Sequence, residues 1–271
     1  MTADELADKL NTQVPHSARV WNYWLGGKDN FAADRDLGDK VLQAFPTMRD
    51  AARTCRAYLG RTVTYLAKEA GIRQFLDIGT GLPTTGNTHQ VAQAVAPECR
   101  VVYVDNDPLV LTHARALLTS GPQGETEYID ADLREPDKIL SAPALLATLD
   151  LTQPVALVLV AVLHLLPDDA QAHEIVTQLV DALAPGSYVV AAHATRDGLS
   201  ADQLAAIDAR EFLPDFTPRT KVQIAQLLDH PDLALVEPGI VPVARWRPPP
   251  SENELPQDEH IATLGAVLVK R

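Results

Sequence analysis

The sequence predicts an α/β fold with a mostly parallel sheet, an antiparallel strand pair at its C-terminal end, and helices before its first strand. The first observation is an alternation of short apolar runs, rich in Val, Ile and Tyr, with stretches of helical periodicity. Strands that alternate with helices typically form a parallel, doubly wound sheet. The predicted strands are residues 73–79, 100–105, 126–132, 154–162 and 187–194, and the predicted helices between them are residues 86–96, 108–119, 136–149 and 168–184.

The two ends of the chain supply the other observations. Residues 1–70 carry apolar positions at helical spacing, which predicts an N-terminal helical cap. After residue 230, the runs LALVEPGIVPVARW and HIATLGAVLVKR read as strands with no helical pattern between them, so we expect an antiparallel pair. We therefore divide the chain into a cap, 1–70, and a sheet domain, 71–271. Within that domain, a helical insertion at about 200–229 is expected to wall the substrate pocket.

Capping chemistry predicts three helix starts. A capping side chain precedes a proline at residues 107–108 and again at residues 217–218. Ser200 and Gln203 have the spacing of a capping box. Helices are therefore expected to begin close to residues 108, 201 and 218.

Composition and charge limit the classes of partner. The chain has 271 residues, 46% of them hydrophobic, and a formal net charge of −13. A chain this acidic repels a phosphate backbone, so we expect a small-molecule partner and no nucleic acid. The longest apolar run, VALVLVAVLHLL, is too short to span a bilayer, and the N-terminus lacks an apolar signal stretch. Cys55 and Cys99 belong to no CxxC pattern, and a cytoplasmic location is expected.

The first predicted strand ends in a glycine-containing turn. In FLDIGTGLPTTGN, Asp77 is followed by Gly79 and Gly81, and glycines at this point let the backbone turn sharply and approach a ligand. A complete GxGxxG motif is absent, because Thr84 stands three positions after Gly81. Alone, this pattern also fits an ordinary tight turn between a strand and a helix.

The next two predicted strands end in carboxylates. Asp105 ends the second strand, where an acidic side chain commonly accepts the hydroxyls of a ribose. Asp132 ends the third strand and is expected within reach of an adenine amine. Because the carboxyl ends of parallel strands share one edge of the sheet, we expect these residues and the glycine turn to form a nucleoside site.

Two cofactors fit such a site. A dinucleotide carries a pyrophosphate, which favours glycines and a helix N-terminus without a nearby anion. S-adenosylmethionine carries no phosphate, and its ammonium group would be attracted to Asp77. The position of Asp77, the acidic end of the third strand and the final antiparallel pair together favour S-adenosylmethionine.

Three segments resemble the motifs of class I S-adenosylmethionine-dependent methyltransferases. They are DIGTGLPTTGNTHQVAQ, RVVYVDNDPLVLTHARALL and IDADLREP. More narrowly, ARVWNYWLGGKDNFAADR, GLPTTGNTHQVA and EPGIVPVARWRP resemble an actinobacterial methyltransferase-like family, first catalogued as a domain of unknown function, over roughly residues 15–271. The resemblance implies a Rossmann-like sheet of seven strands and methyl transfer from S-adenosylmethionine to an unassigned acceptor. By these motifs, Thr80, Asn106 and Leu133 join Asp77, Gly79, Gly81, Asp105 and Asp132 as cofactor-binding residues.

The string WNYWLGGKDNFAADR, residues 21–35, precedes the sheet and is distinctive. It lacks the GxxxxGK[ST] spacing of a phosphate-binding loop, and its two glycines are expected to end a short helix. We hypothesise that it covers the sheet edge as a lid and brings Arg19 and Tyr23, or Lys28, to the cofactor. The alternative is a cap in which the aromatic residues only pack. Asn22 stands where relatives are expected to have Asp, so hydrogen bonding would be kept without charge.

A base for the reaction is less evident. His164 follows the fourth strand, where methyltransferases line the reacting methyl group, and is the candidate catalytic residue. It could equally form a wall of the site or begin a helix. His193, at the end of the fifth strand, is a weaker candidate. The histidines follow no metal-binding pattern, so no metal is expected.

Three functions therefore stay open at this stage. The favoured function is methyl transfer to a small-molecule acceptor. A protein that binds S-adenosylmethionine without catalysis is the second, since Asn22 and the missing base leave catalysis unproven. A nicotinamide-dependent oxidoreductase is the third, and Asp77 and the missing third glycine disfavour it.

Overall fold

The structure is a computed structural model that describes residues 11–117, 120–210, 212, 215–249 and 262–271. Its centre is one eight-stranded sheet in the order β3-β2-β1-β4-β5-β8-β6, in which β7 also pairs with β8. Strands β1 to β5 are parallel, and β8 runs antiparallel to β5, β6 and β7. The strands are β1 Gln74–Ile78, β2 Arg100–Asp105, β3 Glu125–Asp130, β4 Ala156–Val160, β5 Tyr188–Ala194, β6 Leu233–Leu235, β7 Val241–Pro242 and β8 Thr263–Lys270.

Helices precede the sheet and connect its strands. The three before it are α1 Ser17–Trp24, α2 Ala32–Ala44 and α3 Met48–Lys68. The others are α4 Thr88–Val95, α5 Pro108–Leu117, α6 Pro136–Leu140, α7 Pro143–Thr148, α8 Asp169–Asp181, α9 Ala201–Asp208 and α10 Lys221–Leu227. Short 3₁₀ turns follow β4 at Leu163–Leu165 and β7 at Val243–Arg245.

The predicted fold class is confirmed, with one refinement at the C-terminal end. The final strands are antiparallel as expected, but β8 lies between β5 and β6 and pairs with both. The run predicted as one strand from residue 233 breaks into β6, β7 and a 3₁₀ turn. Gly239, with a φ of +85°, turns the chain between the two short strands. The segment that joins them to β8 lies largely outside the described residues.

Two of the three predicted helix starts are confirmed. The Asp107 carboxylate accepts from the Leu109 amide at 2.9 Å, and Ser200 forms a capping box with Gln203. The start predicted at residues 217–218 is wrong, because Arg219 still pairs with Thr195 in extended conformation. Helix α10 begins at Lys221, with Thr220 and Gln223 as its capping box. The helix predicted at 136–149 is two helices, since Pro143 cannot continue the first.

The N-terminal helices play two different roles. Helix α3 covers the sheet, and its Tyr58 hydroxyl lies 2.9 Å from the carbonyl oxygen of Ala266 and 3.1 Å from that of Ala191. Gly265 makes this packing feasible, because a Cβ there would lie 2.8 Å from the Tyr58 ring. Helices α1 and α2 form a cap with a small core of their own, which includes Val20, Trp24, Val41 and Phe45 together with Ile207 of α9. The cap therefore packs against the insertion that follows β5.

The two helices of the predicted insertion, α9 and α10, belong to two different hydrophobic cores. Ile207 of α9 belongs to the cap core, and the side-chain amide of Gln203 donates from Nε2 to the Ala44 carbonyl oxygen at 3.0 Å. Ile224 and Leu227 of α10 instead join the main core beside α8. Among the described residues, no helix combines the length and the apolar character needed to cross a bilayer.

Candidate active site

A cavity of about 600 Å³ lies where the carboxyl ends of β1, β2, β4 and β5 meet the cap. Its size is typical of a site for small organic ligands. One wall brings together the residues predicted from the strand ends and from the motif resemblance. These are Asp77, Gly79, Thr80, Gly81, Asp105, Asn106, Asp132, Leu133 and His164.

The turn after β1 approaches the cavity with its backbone. Gly79 and Gly81 have φ angles of +74° and +66°, in the region that favours glycine. A Cβ on Gly79 would lie 2.5 Å from Cγ2 of Val162, so a side chain cannot fit there without movement. The Gly79 amide donates to the Val104 carbonyl oxygen at 2.9 Å, which fixes the turn to β2.

Asp77 is a buried carboxylate beside this turn. Its Oδ2 accepts from the Thr88 hydroxyl at 2.6 Å. Burial raises the pKa of Asp77 to about 6, and the Thr88 hydrogen bond and the charge of Arg56 oppose this only in part. Arg56 of α3 also lines the cavity and donates to the Gly86 carbonyl oxygen at 3.0 Å. Arg56 could not be predicted as a site residue, because nothing in the sequence distinguishes it from the other polar positions of an amphipathic helix.

Asp105 joins the end of β2 to the glycine turn by a hydrogen bond. Its carboxylate accepts from the Gly81 amide at 2.8 Å and from the Asp107 amide at 3.0 Å. Burial raises the pKa of Asp105, and these two hydrogen bonds oppose the shift. The carboxylate therefore has a fixed orientation on the cavity wall.

Asp132 is more exposed and is held by its neighbours. It accepts from the Asn106 side-chain amide at 2.8 Å and from the Arg134 backbone amide at 2.8 Å. The Arg134 guanidinium also bonds Asp215 at 2.8 Å, in the segment after α9. Leu133 is buried beside them and adds an apolar surface to this end of the cavity.

The residues just before the distinctive N-terminal string are tied to the end of β2. Nε of Arg19 lies 3.1 Å from Oδ2 of Asp107, and Nδ1 of His16 lies 3.2 Å from the same oxygen. Asp34 of α2 accepts from the His16 amide at 2.9 Å and is fully buried. The cap is thus joined to Asp107 by the Arg19 ion pair and by contact with the His16 ring, and the Asp107 amide in turn supports Asp105. The contact between His16 and Asp107 could not be predicted, because the two residues are far apart in the sequence and form no motif.

Inside the string, Asn22 organises the loop and Gly26 ends α1. The side-chain oxygen of Asn22 accepts from the Asp29 amide at 3.1 Å and from the Asn30 side chain at 2.9 Å. Gly26 has a φ of +84°, so the predicted helix end is confirmed. Trp21, Asn22 and Leu25 line the cavity, and the string therefore covers the sheet edge.

Three residues expected at the cofactor lie elsewhere: Arg19, just before the string, and Tyr23 and Lys28 within it. Of the described residues that line it, none is Arg19, Tyr23 or Lys28. The Tyr23 hydroxyl lies 2.6 Å from Oδ1 of Asp39, and its ring packs against Arg49. The Tyr23 side chain is therefore directed to α2 and α3 and not to this cavity. Arg19 acts on the site only through Asp107.

His164 lies in the 3₁₀ turn after β4 and lines the cavity. Its Nδ1 accepts from the Ala194 amide at 3.4 Å, and its ring meets the Phe216 ring edge-on at 5.1 Å. Burial lowers the pKa of His164 well below its ordinary value, and the nearby His193 and Arg219 lower it further. The ring is therefore neutral, with the proton on Nε2. This arrangement suits a hydrogen-bond donor better than a base.

His193 has a structural environment. Its Nδ1 donates to the Ala194 carbonyl oxygen at 2.7 Å, and its Nε2 accepts from Nη1 of Arg219 at 3.0 Å. Burial lowers its pKa to about 4, so both ring nitrogens stay engaged in the neutral form. His193 is not among the described residues that line the cavity. The weaker candidate base is thus held away from the site.

Arg219 is a second residue that the sequence analysis missed. Its buried guanidinium donates to Asp169 at 2.7 Å and to the carbonyl oxygens of Leu163 and Leu166 at 3.2 and 2.7 Å. These carbonyls flank His164, so Arg219 fixes the turn that carries it. Within the described part of the chain, no group of three or more His, Cys, Asp or Glu side chains is placed to hold a metal.

Comparison with known proteins now identifies the family. Residues 3–271 match the S-adenosyl methyltransferase family. The chain belongs to this family. A structure of a DUF574 family protein from Streptomyces avermitilis MA-4680 is 45% identical, with a TM-score of 0.90 over 97% of this chain and 100% of that one. A candidate methyltransferase from Thermobifida fusca YX is 42% identical, with a TM-score of 0.86 over 97% of each chain.

The fold extends to a more distant structure. Mitomycin 7-O-methyltransferase shares 16% identity and a TM-score of 0.52, over 99% of this chain and 67% of that one. At this identity the likeness shows the fold alone. Comparison with functionally curated proteins gave no match.

The family membership decides between the functions left open by the sequence. The protein is an S-adenosylmethionine-dependent methyltransferase with the class I Rossmann-like fold. The nicotinamide-dependent oxidoreductase and the non-catalytic binding protein are set aside on this ground. The family description names no methyl acceptor.

Proposed function

We propose that this methyltransferase holds S-adenosylmethionine along the carboxyl ends of β1, β2 and β3 and methylates a small-molecule acceptor beneath the cap. The observation that carries the proposal is the cavity of about 600 Å³ between the sheet edge and the cap. Three strand-end carboxylates and the glycine turn form one of its walls, and apolar residues of the cap form the other.

The residues present fit the chemistry of this cofactor. Asp105 is oriented to accept from the ribose hydroxyls, since its carboxylate is fixed by two amides. Asp77 and Arg56 line the same end of the site and suit the ammonium and carboxylate groups of the methionine part. A pyrophosphate would instead meet the buried carboxylates of Asp77 and Asp105, which would repel it.

The adenine end of the site has a different character. Asp132 and Asn106 offer hydrogen-bonding groups, and Leu133 offers an apolar surface for the base. Gly79 and Gly81 allow the sharp turn that brings the backbone to the cavity wall, because their φ angles of +74° and +66° favour glycine. Thr80 lies between them on the cavity wall.

When bound, the cofactor supplies a methyl group on a positively charged sulfur, an electrophile ready for in-line displacement. The chain contributes orientation and exclusion of water. Trp21, Trp24 and Leu25 cover the sheet edge, and Phe216 closes the side beside His164. His164 donates from Nε2 to the acceptor and orients it. Since Nδ1 is already engaged with the Ala194 amide, we assign His164 a positioning role and no proton abstraction.

The proposal also includes an actinobacterial source and a cytoplasmic location. Similar chains from Streptomyces and Thermobifida support the source. Two buried, unpaired cysteines, Cys55 and Cys99, suit a reducing compartment. The net charge of −13 supports a small acceptor in preference to nucleic acid.

The experiment that tests the proposal follows the methyl group. The protein is incubated with methyl-labelled S-adenosylmethionine and a whole-cell extract of an actinobacterium. The extract contains the small metabolites together with the proteins and nucleic acids of the cell. We expect label in the low-mass, solvent-extractable fraction, and none there with Asp105→Ala. Label that appears only in precipitated protein or nucleic acid would contradict a small-molecule acceptor.

A further inference from the structure

The cavity has two halves of opposite character. The half along the strand ends contains the carboxylates of Asp77, Asp105 and Asp132. The half beneath the cap and the α9 segment is apolar. Its walls include Trp21, Trp24, Val41, Phe45, Met48 and Ile207.

Five aromatic rings line the apolar half. Phe45 and Phe212 meet edge-on with centroids 5.8 Å apart, and Phe216 meets the His164 ring in the same way. Trp21 and Trp24 also pack edge-on, at 5.9 Å. Such walls offer ring faces and edges, which pack best against another flat ring.

The apolar half offers little to balance a charge. Among the described lining residues that α1, α2 and α9 contribute, none carries a charge. Asp215, from the segment after α9, is already paired with Arg134 at 2.8 Å. A charged acceptor would therefore lose its hydration without gaining a counter-charge.

His164 faces this part of the site from the turn after β4. His164 has its Nδ1 engaged with the Ala194 amide, so its Nε2–H is the group left to donate. A neutral acceptor with one oxygen or nitrogen atom would satisfy this donor. The Phe216 ring beside it restricts the approach to a flat molecule.

We infer that the methyl acceptor is an uncharged, largely apolar molecule built on an aromatic ring, with one oxygen or nitrogen atom that accepts from His164. The inference rests on the proposed function and names its substrate class. It follows from the division of the cavity into a charged half and an aromatic half.

Three probes with one ring system test the inference. The full-length protein is saturated with S-adenosylhomocysteine and titrated calorimetrically at neutral pH with 2-naphthol, 2-naphthoate and 2-naphthylmethylammonium. We expect 2-naphthol to bind roughly tenfold or more tightly than either charged probe, because burial of an unpaired charge costs more than about 1.4 kcal/mol, the energy that a tenfold ratio represents. The inference would be overturned if the three probes bind with equal affinity, if a charged probe binds more tightly, or if none of the three binds.

A variant pair locates the probe. Ile207→Asp places a charge on the apolar wall, whereas Val222→Asp places the same charge on an exposed position of α10 outside the cavity. We expect Ile207→Asp to abolish 2-naphthol binding and to leave S-adenosylhomocysteine binding within about twofold of Val222→Asp. Retained 2-naphthol binding in Ile207→Asp would contradict the assigned wall. If Ile207→Asp fails to fold, the three-probe comparison on the unaltered protein still decides.

The two proposals fail in different ways. Absence of S-adenosylhomocysteine binding to the unaltered protein would refute the cofactor site. Normal binding of S-adenosylhomocysteine together with indifference to probe charge would refute only the substrate class.

Discussion

Nη1 of Arg219 lies 3.0 Å from Nε2 of His193, and the same guanidinium reaches Asp169 and the carbonyl oxygens of Leu163 and Leu166. One buried side chain thus connects β5, the turn after β4 and the start of α8. Because these carbonyls flank His164, the position of that ring depends on a residue more than 50 positions away in the chain.

Replacement of Arg219 by Met should destabilise the fold strongly. The change leaves buried carbonyl oxygens and His193 Nε2 without their donor, which corresponds to a loss of about 3 kcal/mol in the free energy of unfolding. Arg53→Met is the control, since Arg53 forms an exposed pair with Asp50 and should cost less than about 1 kcal/mol. Urea unfolding of both variants measures the difference. Similar losses would contradict the role assigned to Arg219.

Asp77 should make the stability of the ligand-free protein fall as the pH rises. Its pKa is raised to about 6 in the fold by burial, above the ordinary value expected in the unfolded chain. Between those two values the folded state binds more protons, so the contribution of Asp77 is lost as the pH passes through about 6. In Asp77→Asn this fall should shrink by an amount on the order of 1–3 kcal/mol. Urea unfolding between pH values near 4 and 7 measures it, and an unchanged pH profile would refute the shift.

Gly79→Ala should lose more stability than Gly71→Ala. Both positions have φ near +70°, so both variants carry backbone strain of about 1–2 kcal/mol. Gly71 has open space around a Cβ, whereas a Cβ on Gly79 meets Val162 at 2.5 Å. We expect about 1–3 kcal/mol of additional loss at Gly79 from overpacking. Equal losses in urea unfolding would show that the turn after β1 is not tightly packed.

Arg19→Met should weaken cofactor binding although Arg19 does not line the cavity. Its ion pair with Asp107, at 3.1 Å, joins the cap to the residue whose amide supports Asp105. We expect the dissociation constant for S-adenosylhomocysteine to rise roughly tenfold, the factor for about 1.4 kcal/mol of lost positioning.

Arg35→Met provides the comparison for Arg19→Met. The Arg35 side chain is exposed, and its described hydrogen bonds go to Asn30. Calorimetric titration should give this variant the affinity of the unaltered protein. If Arg19→Met folds and also binds S-adenosylhomocysteine with full affinity, the ion pair between the cap and Asp107 does not support cofactor binding.

The strand-end residues could be placed from the sequence because the order of parallel strands determines their edge. In neighbouring parallel strands β1, β2 and β3, residues at the strand ends such as Asp77, Asp105 and Asp132 must lie along one edge of the sheet. Short stretches of sequence contain that information. The C-terminal refinement did not follow in this way, because the position of β8 between β5 and β6 depends on long-range pairing.

The residues that were misplaced or missed depend on packing. In α1, Trp21 and Trp24 are three positions apart and share a face, so Tyr23 points elsewhere, towards Asp39. That periodicity was available in the sequence and could have excluded Tyr23. No comparable pattern marks Arg56 or Arg219. Their partners lie far away in the chain, and in the sequence they cannot be distinguished from arginines that lie on the surface.

The most direct test of the cofactor site is calorimetric titration with S-adenosylmethionine, S-adenosylhomocysteine and NAD. It is repeated with Asp105→Ala and with Asp229→Ala, a change at an exposed position outside the cavity. We predict that both sulfur nucleosides bind the unaltered protein and Asp229→Ala, that Asp105→Ala loses both, and that NAD does not bind. Binding of NAD alone, or full binding of the sulfur nucleosides by a folded Asp105→Ala, would contradict the account.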